Sequence, residues 1–449
     1  MKTIDQIASE LAGYDPQSLR ADKVNAFLAE LVNPVTGTET VALFDAMGRV
    51  LATDVISPIS VPPHDNSAMD GYAFDGAQLK QDAPLHLTII GTALAGKAWQ
   101  GQAGAGECVK IMTGAIMPDG LDTVVAQELA ELDIEKSTIT IAPGVLQTGD
   151  NRRLAGEDLM QGHAALGQGD MITPAALGLL ASLGLAAVCV YRKLRVAYFS
   201  TGDEILSLGE LPREGAVYDS NRYTVFGLLT RMGCEVIDLG VVRDEPALLE
   251  AAFVDAASKA DAIITSGGVS VSEADYTRAM MKKLGADSGG VAFWRIAMRP
   301  GRPMAVGRIG SKNKHKLTSS RRDISPDSYQ NDSSILFGLP GNPVAVMVTF
   351  LAFVRPALLR MMGSTAPQPP LLKAYSTEAI RKKPGRTEYQ RGTVTTAADG
   401  SLQVRTTGNQ GSGVLSSMVQ ANGLIVLHHD QASIAVGDAV DVMMFDGVI

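Results

Sequence analysis

The stretch from Leu194 to Gly363 sets the tightest limit on the fold. Short apolar runs alternate here with longer helical segments: "LRVAYF", "SNRYTVFGLLTRMG", "CEVIDLGVV", "DEPALLEAAFVDAASK", "DAIIT", "SILFGL" and "NPVAVMVTFLAFVRPALLRMMG". Strands alternating with helices predict βαβ units and a parallel-rich sheet in a three-layer α/β domain. In such sheets ligands gather beyond the carboxyl ends of the strands. Three glycine turns stand at those ends: "FSTGDEI", "TSGGVS" and "GLPGNPV". Glycine lets backbone N–H groups approach an anion closely, and a helix N-terminus adds positive potential. One such turn is indistinguishable from an ordinary β–α turn, but three in one domain point to a phosphate-bearing ligand. The candidate contacts are Ser200, Thr201, Gly202, Ser266, Gly267, Gly268, Ser270, Pro340, Gly341, Asn342 and Pro343.

Carboxylates crowd the same strand ends: Asp203, Glu204, Asp244, Glu273 and Asp275. Phosphate repels carboxylate, so the pattern makes sense if a cation lies between them. Mg²⁺ takes oxygen ligands, often one or two carboxylates plus phosphate oxygens. The competing reading of each acid alone is a solvated residue at a helix start, favoured by the dipole. "WRIAMRPGRPMAVGRI" adds Arg299 and Arg302 around a Pro-Gly turn. Guanidinium forks suit oxyanions, and a rigid turn could present both to one tetrahedral anion. Surface arginines at a hairpin are the plainer alternative.

The chain has 449 residues, too many for one core. Its net charge is −9 with no long basic run, which argues against general nucleic-acid binding. Three cysteines, Cys108, Cys189 and Cys234, are too few and too far apart for a disulfide framework or a thiolate metal site, and a reducing cytoplasm is the expected compartment. Asp5 and Glu10 stand where a signal peptide would be apolar. "TPAALGLLASLGLAAVCVYRK" has Thr173 as N-cap, Pro174 at the first helical position and Gly184 as a stop, so it reads as a short buried helix followed by a strand, not a membrane span.

Elsewhere, residues 1–55 look helical with a strand or two near the end, and residues 85–142 read as short strands between glycine turns. Strand patterns "EYQRGTVTT", "SLQVRTTG", "GLIVLHH" and "DAVDVMMF" follow the linker 364–372. His428 and His429 read as structural. A polar insert, 311–333, reads as a surface excursion. The loop "PPHDNSAMDGYAF" packs Asp65, Asn66, Ser67 and Asp70 between prolines and Tyr72, dense enough for a self-satisfied turn or part of a site. "KIMTGA" places Thr113 beside Gly114, and "NRRLAGED" pairs Arg152 and Arg153 with Glu157 and Asp158.

Nine stretches, "DNSAMDGYA", "KIMTGA", "NRRLAGED", "FSTGDEI", "YDSNRY", "SGGVSVSEADYT", "RPGRPMAVG", "GLPGNPV" and "EYQRG", resemble in order the molybdopterin molybdenumtransferase family, called MoeA in bacteria and represented in animals by the E domain of gephyrin. The resemblance covers nearly the whole chain. It implies four domains: a discontinuous helical linker domain (1–55 and 150–190), an inserted β-rich domain (56–149), an α/β molybdopterin-binding domain (191–365) and a C-terminal β-barrel-like domain (366–449). It implies a cytoplasmic homodimer that takes adenylylated molybdopterin and molybdate, releases AMP and inserts molybdenum with Mg²⁺ assisting. By motif position, Asp70, Thr113, Glu204, Asp244 and Asp275 match residues required for activity, with Glu204, Asp244 and Asp275 on the metal. Arg299, Arg302, Arg391 and Ser412 match the molybdate neighbourhood. Arg299 and Arg302 stand where better-known members have lysine, and Ala345 where some have serine. The implied partners are a molybdopterin adenylyltransferase and recipient molybdoenzymes, with no nucleic acid and no membrane. Two alternatives compete: a nucleotidyltransferase that makes the adenylate, disfavoured by the accessory domains, and a non-catalytic cofactor-binding scaffold, disfavoured by retention of every acidic position.

Overall fold

The computed structural model describes residues 2–269, 276–310 and 333–445. Its central sheet runs Glu235–Val242, Arg195–Thr201, Ala262–Ser266, Ser333–Leu339, Pro303–Gly310, Val291–Arg295. The first four strands are parallel and the last two antiparallel. Parallel strands here are buried on both faces, and successive side chains go to opposite layers. Ala197, Phe199, Ile263, Ala305 and Leu336 join the core under the helices Pro246–Lys259 and Tyr276–Gly285. Val196, Tyr198, Ile264, Val306 and Phe337 face the other way, against the helix Ser220–Arg231 and the apolar helix Pro343–Met361. The result is the expected three-layer α/β domain.

Two features of this domain were not expected. The helix Pro343–Met361 is interrupted by a π segment at Phe350–Val354. Pro356 stands two residues beyond it; proline lacks the N–H of a regular helix and crowds the carbonyl one turn back, and a wider turn accommodates both. The helix is long and apolar enough to cross a membrane but lies mostly buried in this core. The two amino-terminal helices, Ile4–Glu10 and Ala21–Leu31, also pack into this core through Ile7, Val24, Phe27 and Leu28, with Phe27 edge-on to Trp294 at 4.9 Å. Arg308, buried in its strand, fastens them by donating to the carbonyls of Lys2 (2.6 Å) and Leu31 (2.7 Å).

The strand Thr38–Ala42 pairs with Ala187–Tyr191, so two segments far apart in sequence meet. Thr173 caps the helix Pro174–Ser182 as read, but that helix buries only Ala176 and Leu180 and lies on the surface, which corrects the buried helix expected from its composition. Between these segments a six-stranded sheet runs Thr123–Ala126, Gly71–Phe74, Glu107–Ile111, Leu85–Ala93, Thr138–Ile141, Ala130–Asp133. Alternation again divides it into two cores: Ala73, Val109 and Val124 on one face, Tyr72, Phe74, Cys108 and Val125 on the other. The cysteines are free; burial pushes the Cys108 and Cys234 thiols up to about 12.

From residue 372 on, five strands close into a barrel: Thr387–Thr396, Leu402–Thr406, Leu372–Ser376, Ala439–Met444 and Gly423–Leu427, which returns to pair with Thr387–Thr396. The strand Leu372–Ser376, absent from the sequence reading, completes the circle. Met298–Arg299 leaves the α/β domain and adds to Thr387–Glu388 in parallel, joining the barrel to the Pro-Gly turn.

Candidate functional site

Regular strands place side chains, and three turns place backbone, at one edge of the α/β sheet. Gly202 (φ +142), Gly267 (φ +93) and Gly268 (φ +64) adopt left-handed conformations that disfavour other residues. A Cβ on Gly267 would lie 2.3 Å from the Thr201 carbonyl oxygen, and one on Gly268 2.4 Å from Thr277 Cβ. The Gly267 N–H is engaged by the Leu339 carbonyl at 3.2 Å, so this glycine ties two strand ends together.

Ser200, Thr201 and Ser266 point inward and are buried. The Tyr198 hydroxyl lies 2.8 Å from Ser200 Oγ and 2.6 Å from Ser266 Oγ, a closed hydroxyl network beneath the glycine turns. These serines brace the edge; the exposed candidates are Gly341 and Asn342, whose side chain makes no cap hydrogen bond although it begins the helix Pro343–Met361. Ser270 and Asp275 lie outside the described residues, as do Glu273 and nearly all of the polar insert.

The Thr201 hydroxyl donates to Asp244, and the Asp244 N–H reaches Asp203 Oδ1 at 3.4 Å. Glu204 is exposed, and its carboxylate folds over Gly202. Asp203, Glu204 and Asp244 therefore stand at the ends of two adjacent strands, Arg195–Thr201 and Glu235–Val242. No group of three or more acidic, histidine or cysteine side chains poised to hold a metal occurs among the described residues. Glu204 and Asp244 remain oxygen donors of the kind Mg²⁺ takes alongside water and other oxygen ligands.

The second cluster sits where the barrel meets the helix Pro343–Met361. Gly301 (φ +92) packs so closely that a Cβ would lie 2.4 Å from Thr349 Oγ1 and 3.4 Å from the Ala345 carbonyl oxygen. This pins the Arg299–Arg302 turn to the start of that helix. The Ser412 carbonyl accepts from Val344 N–H at 3.1 Å, bringing the barrel loop to the same place. Arg391 is 1% exposed and faces no carboxylate among the described residues. It donates to Ser417 Oγ (2.9 Å) and to the carbonyls of Gly411 (2.9 Å) and Asn409 (3.2 Å). Burial, then the nearby charge of Arg299, pushes its pKa down to about 10. Arg299 and Arg302 are exposed, with no ion pair among the described residues. Among the described residues, Arg391 and Arg299 stand near one another without a carboxylate between them, a charge set that suits an oxyanion. The structure thus brings Arg299, Arg391 and Ser412 to one place, with Arg302 on the same turn.

Asp70 belongs to a third group. Its Oδ1 accepts from Thr113 N–H (2.7 Å) and Thr113 Oγ1 (2.8 Å), and Gly114 (φ +79) donates to the Ser67 carbonyl (2.8 Å) to hold the two loops together. These bonds, the backbone one first, hold the Asp70 carboxyl below the usual carboxylate range. Arg152 clasps Asp65, which also accepts from Ala155 N–H at 2.7 Å, so "NRRLAGED" braces the loop. Among the described residues no hydrogen bond or ion pair joins Asp70 or Thr113 to Glu204 or Asp244 within one chain.

Sequence reasoning missed Asn221. Its Nδ2 donates to the Gly341 carbonyl at 2.7 Å, and Asp219 caps its helix through Arg222 N–H (3.1 Å). The signal was present: aspartate two residues before Asn221 is an N-cap, and a cap fixes where the next side chains point.

The fold is that of a multidomain α/β protein with accessory β domains, its candidate residues gathered at the sheet edge and the barrel junction. The chain matches the MoeA N-terminal region (domain I and II) over residues 19–184, a probable molybdopterin binding domain over 197–360 and the MoeA C-terminal region (domain IV) over 373–445. It is 39% identical to the molybdopterin molybdenumtransferase of Haemophilus influenzae, covering 96% of this chain and 100% of that one. It is 33% identical to the Bacillus subtilis protein of the same name over 91% of this chain and 90% of that one. A crystal structure of a molybdopterin biosynthesis moeA protein from Pyrococcus horikoshii superposes with a TM-score of 0.75 at 25% identity, covering 95% of this chain and 100% of that one. The chain belongs to the MoeA family.

Proposed function

We propose that this protein is a molybdopterin molybdenumtransferase: it takes adenylylated molybdopterin and molybdate, and yields molybdenum cofactor and AMP. The observation that carries the reading is buried Arg391, without a carboxylate partner among the described residues, beside Arg299 and the start of the helix Pro343–Met361. A tetrahedral dianion completes that charge set. The glycine turns and Asn342 line the neighbouring strand ends, where a pyrophosphate fits.

The chain's own groups then divide the work. The turns at Gly202, Gly268 and Gly341 orient the pyrophosphate so that the AMP phosphate lies beside Asp244 and Glu204. Those two acids, with Asp275, would hold Mg²⁺, which offsets phosphate charge as AMP leaves. Arg299, Arg302, Arg391 and Ser412 hold molybdate against the dithiolene. Arg391, fixed by two carbonyls and a hydroxyl, loses little side-chain freedom on binding.

Asp70 and Thr113 are assigned to the same chemistry across a two-fold homodimer, each site combining them with Glu204, Asp244 and Asp275 of the other subunit. A molybdopterin adenylyltransferase upstream and molybdoenzymes downstream are the expected partners. Release of AMP from adenylylated molybdopterin, followed with and without molybdate, tests the reading. Molybdate-stimulated release supports it; release indifferent to molybdate contradicts it.

A further inference from the structure

Asn221 is 7% exposed, and its amide holds the turn at Gly341 that leads into the helix Pro343–Met361. Its helix, Ser220–Arg231, begins at a network of backbone bonds. Val217 N–H donates to the Glu204 carbonyl (2.9 Å), Asp219 N–H donates to the Leu206 carbonyl (3.0 Å), and Asp219 Oδ1 caps Arg222 N–H (3.1 Å). The start of this helix is therefore fixed relative to the carboxylate-bearing loop after the strand Arg195–Thr201. From that fixed point the Asn221 amide reaches the Gly341 carbonyl at 2.7 Å. Two residues later the helix Pro343–Met361 begins, and Val344 N–H meets the Ser412 carbonyl at 3.1 Å. Gly341 itself has open space around its Cα, so side-chain packing there does not hold the turn.

We propose that Asn221 is a positioning residue for the oxyanion subsite: its amide sets the Pro340–Asn342 turn, and with it the placement of Val344 and Ser412 beside Arg391. The inference rests on the functional reading above. Asn221 acts here through the turn, by its bond to the Gly341 carbonyl, so its loss loosens the subsite without removing a charge. The buried Asn221 Oδ1 has no hydrogen-bond partner among the described residues, so there the side chain is held by its Nδ2 bond and packing. Deleting a neutral amide–carbonyl bond that orients an anion site is expected to raise the half-saturating molybdate concentration about tenfold.

The test compares wild type, Asn221→Ala and Asn221→Ser in molybdate-dependent AMP release, with melting temperatures measured in parallel. The expected result is a raised half-saturating molybdate concentration in Asn221→Ala, with kcat and half-saturating adenylylated molybdopterin within about twofold of wild type. Asn221→Ser, which keeps a donor and leaves less to unfold, is expected to lie between the two. A lowered kcat with unmoved molybdate dependence marks Asn221 as merely structural and overturns the inference, as does no change at all. If Asn221→Ala does not fold, calorimetric titration of Asn221→Ser with molybdate alone decides, wild-type affinity overturning the inference. Absence of molybdate dependence in the wild type overturns the functional reading and this inference with it; its presence beside unmoved variants overturns the inference alone.

Discussion

Asp70 illustrates how a single exposed carboxylate is kept charged. Its folded pKa is depressed, so its charge and any stability from it are present above the unfolded value and lost as pH falls through the folded one. The backbone N–H of Thr113 is the larger cause and survives substitution; the hydroxyl is the smaller and does not. Thr113→Val is therefore expected to move the acid limb of the pH–rate profile part of the way toward the ordinary carboxylate value. An unmoved acid limb separates the pair from the reaction. Arg391 carries the opposite lesson. Its folded pKa is pushed down to about 10, so the folded state binds its proton less firmly than the unfolded chain. Stability rises with pH only above that value, and at neutral pH the buried charge is a cost. An oxyanion offsets that cost. A hundredfold excess of molybdate over Kd should stabilise the wild type by about 2.7 kcal/mol, raising the melting temperature. Arg391→Met is expected to show no such rise. An equal rise in both would mean that the anion binds elsewhere.

Secondary elements were the most legible level, because each repeated a period. The run Ala262–Thr265 appears as Ala262–Ser266, "SNRYTVFGLLTRMG" as Ser220–Arg231 and "DEPALLEAAFVDAASK" as Pro246–Lys259 with proline in its first turn. What hid was decided by contacts distant in sequence. Nothing local in "LKAYS" says that Leu372–Ser376 closes a barrel, since its partners are Leu402–Thr406 and Ala439–Met444. The amphipathic amino-terminal helices show an apolar face but not which core receives it. Ser200 and Ser266 read as ligand contacts from their turns, whereas strand alternation sends their hydroxyls inward to Tyr198. The glycines were read for anion access; Gly267 also serves a plain packing need, its Cα facing the Thr201 carbonyl. Gly267→Ala combines an unfavourable φ, about 1–2 kcal/mol, with that clash, so a loss of at least about 2 kcal/mol in urea unfolding is expected. A variant as stable as wild type would mean that this turn is not held as described.

At the scale of the molecule, the three groups of candidate residues are spread over the inserted β sheet, the α/β sheet and the barrel. The barrel is joined to the α/β domain by Met298–Arg299 pairing with Thr387–Glu388, whereas no hydrogen bond or ion pair among the described residues brings Asp70 to Asp244. The motifs lay in the sequence in order, but a sequence is silent on which copy of the chain each serves. If sites are shared between subunits, Asp70→Asn and Asp244→Asn should each be nearly inactive alone. Mixed and allowed to exchange, they should recover about a quarter of wild-type activity, since half the dimers carry one intact site. Heterodimers verified by mass with no recovered activity would place each site within one chain.

The central claim is transfer of molybdenum coupled to loss of AMP, and the most direct measurement counts both products of one reaction. Purified protein, adenylylated molybdopterin, Mg²⁺ and molybdate are incubated, and AMP and pterin-bound molybdenum are quantified together over time. The account predicts equal amounts at every time point, and little AMP when molybdate is omitted. AMP released at the same rate without molybdate, with no molybdenum on the pterin, would contradict it.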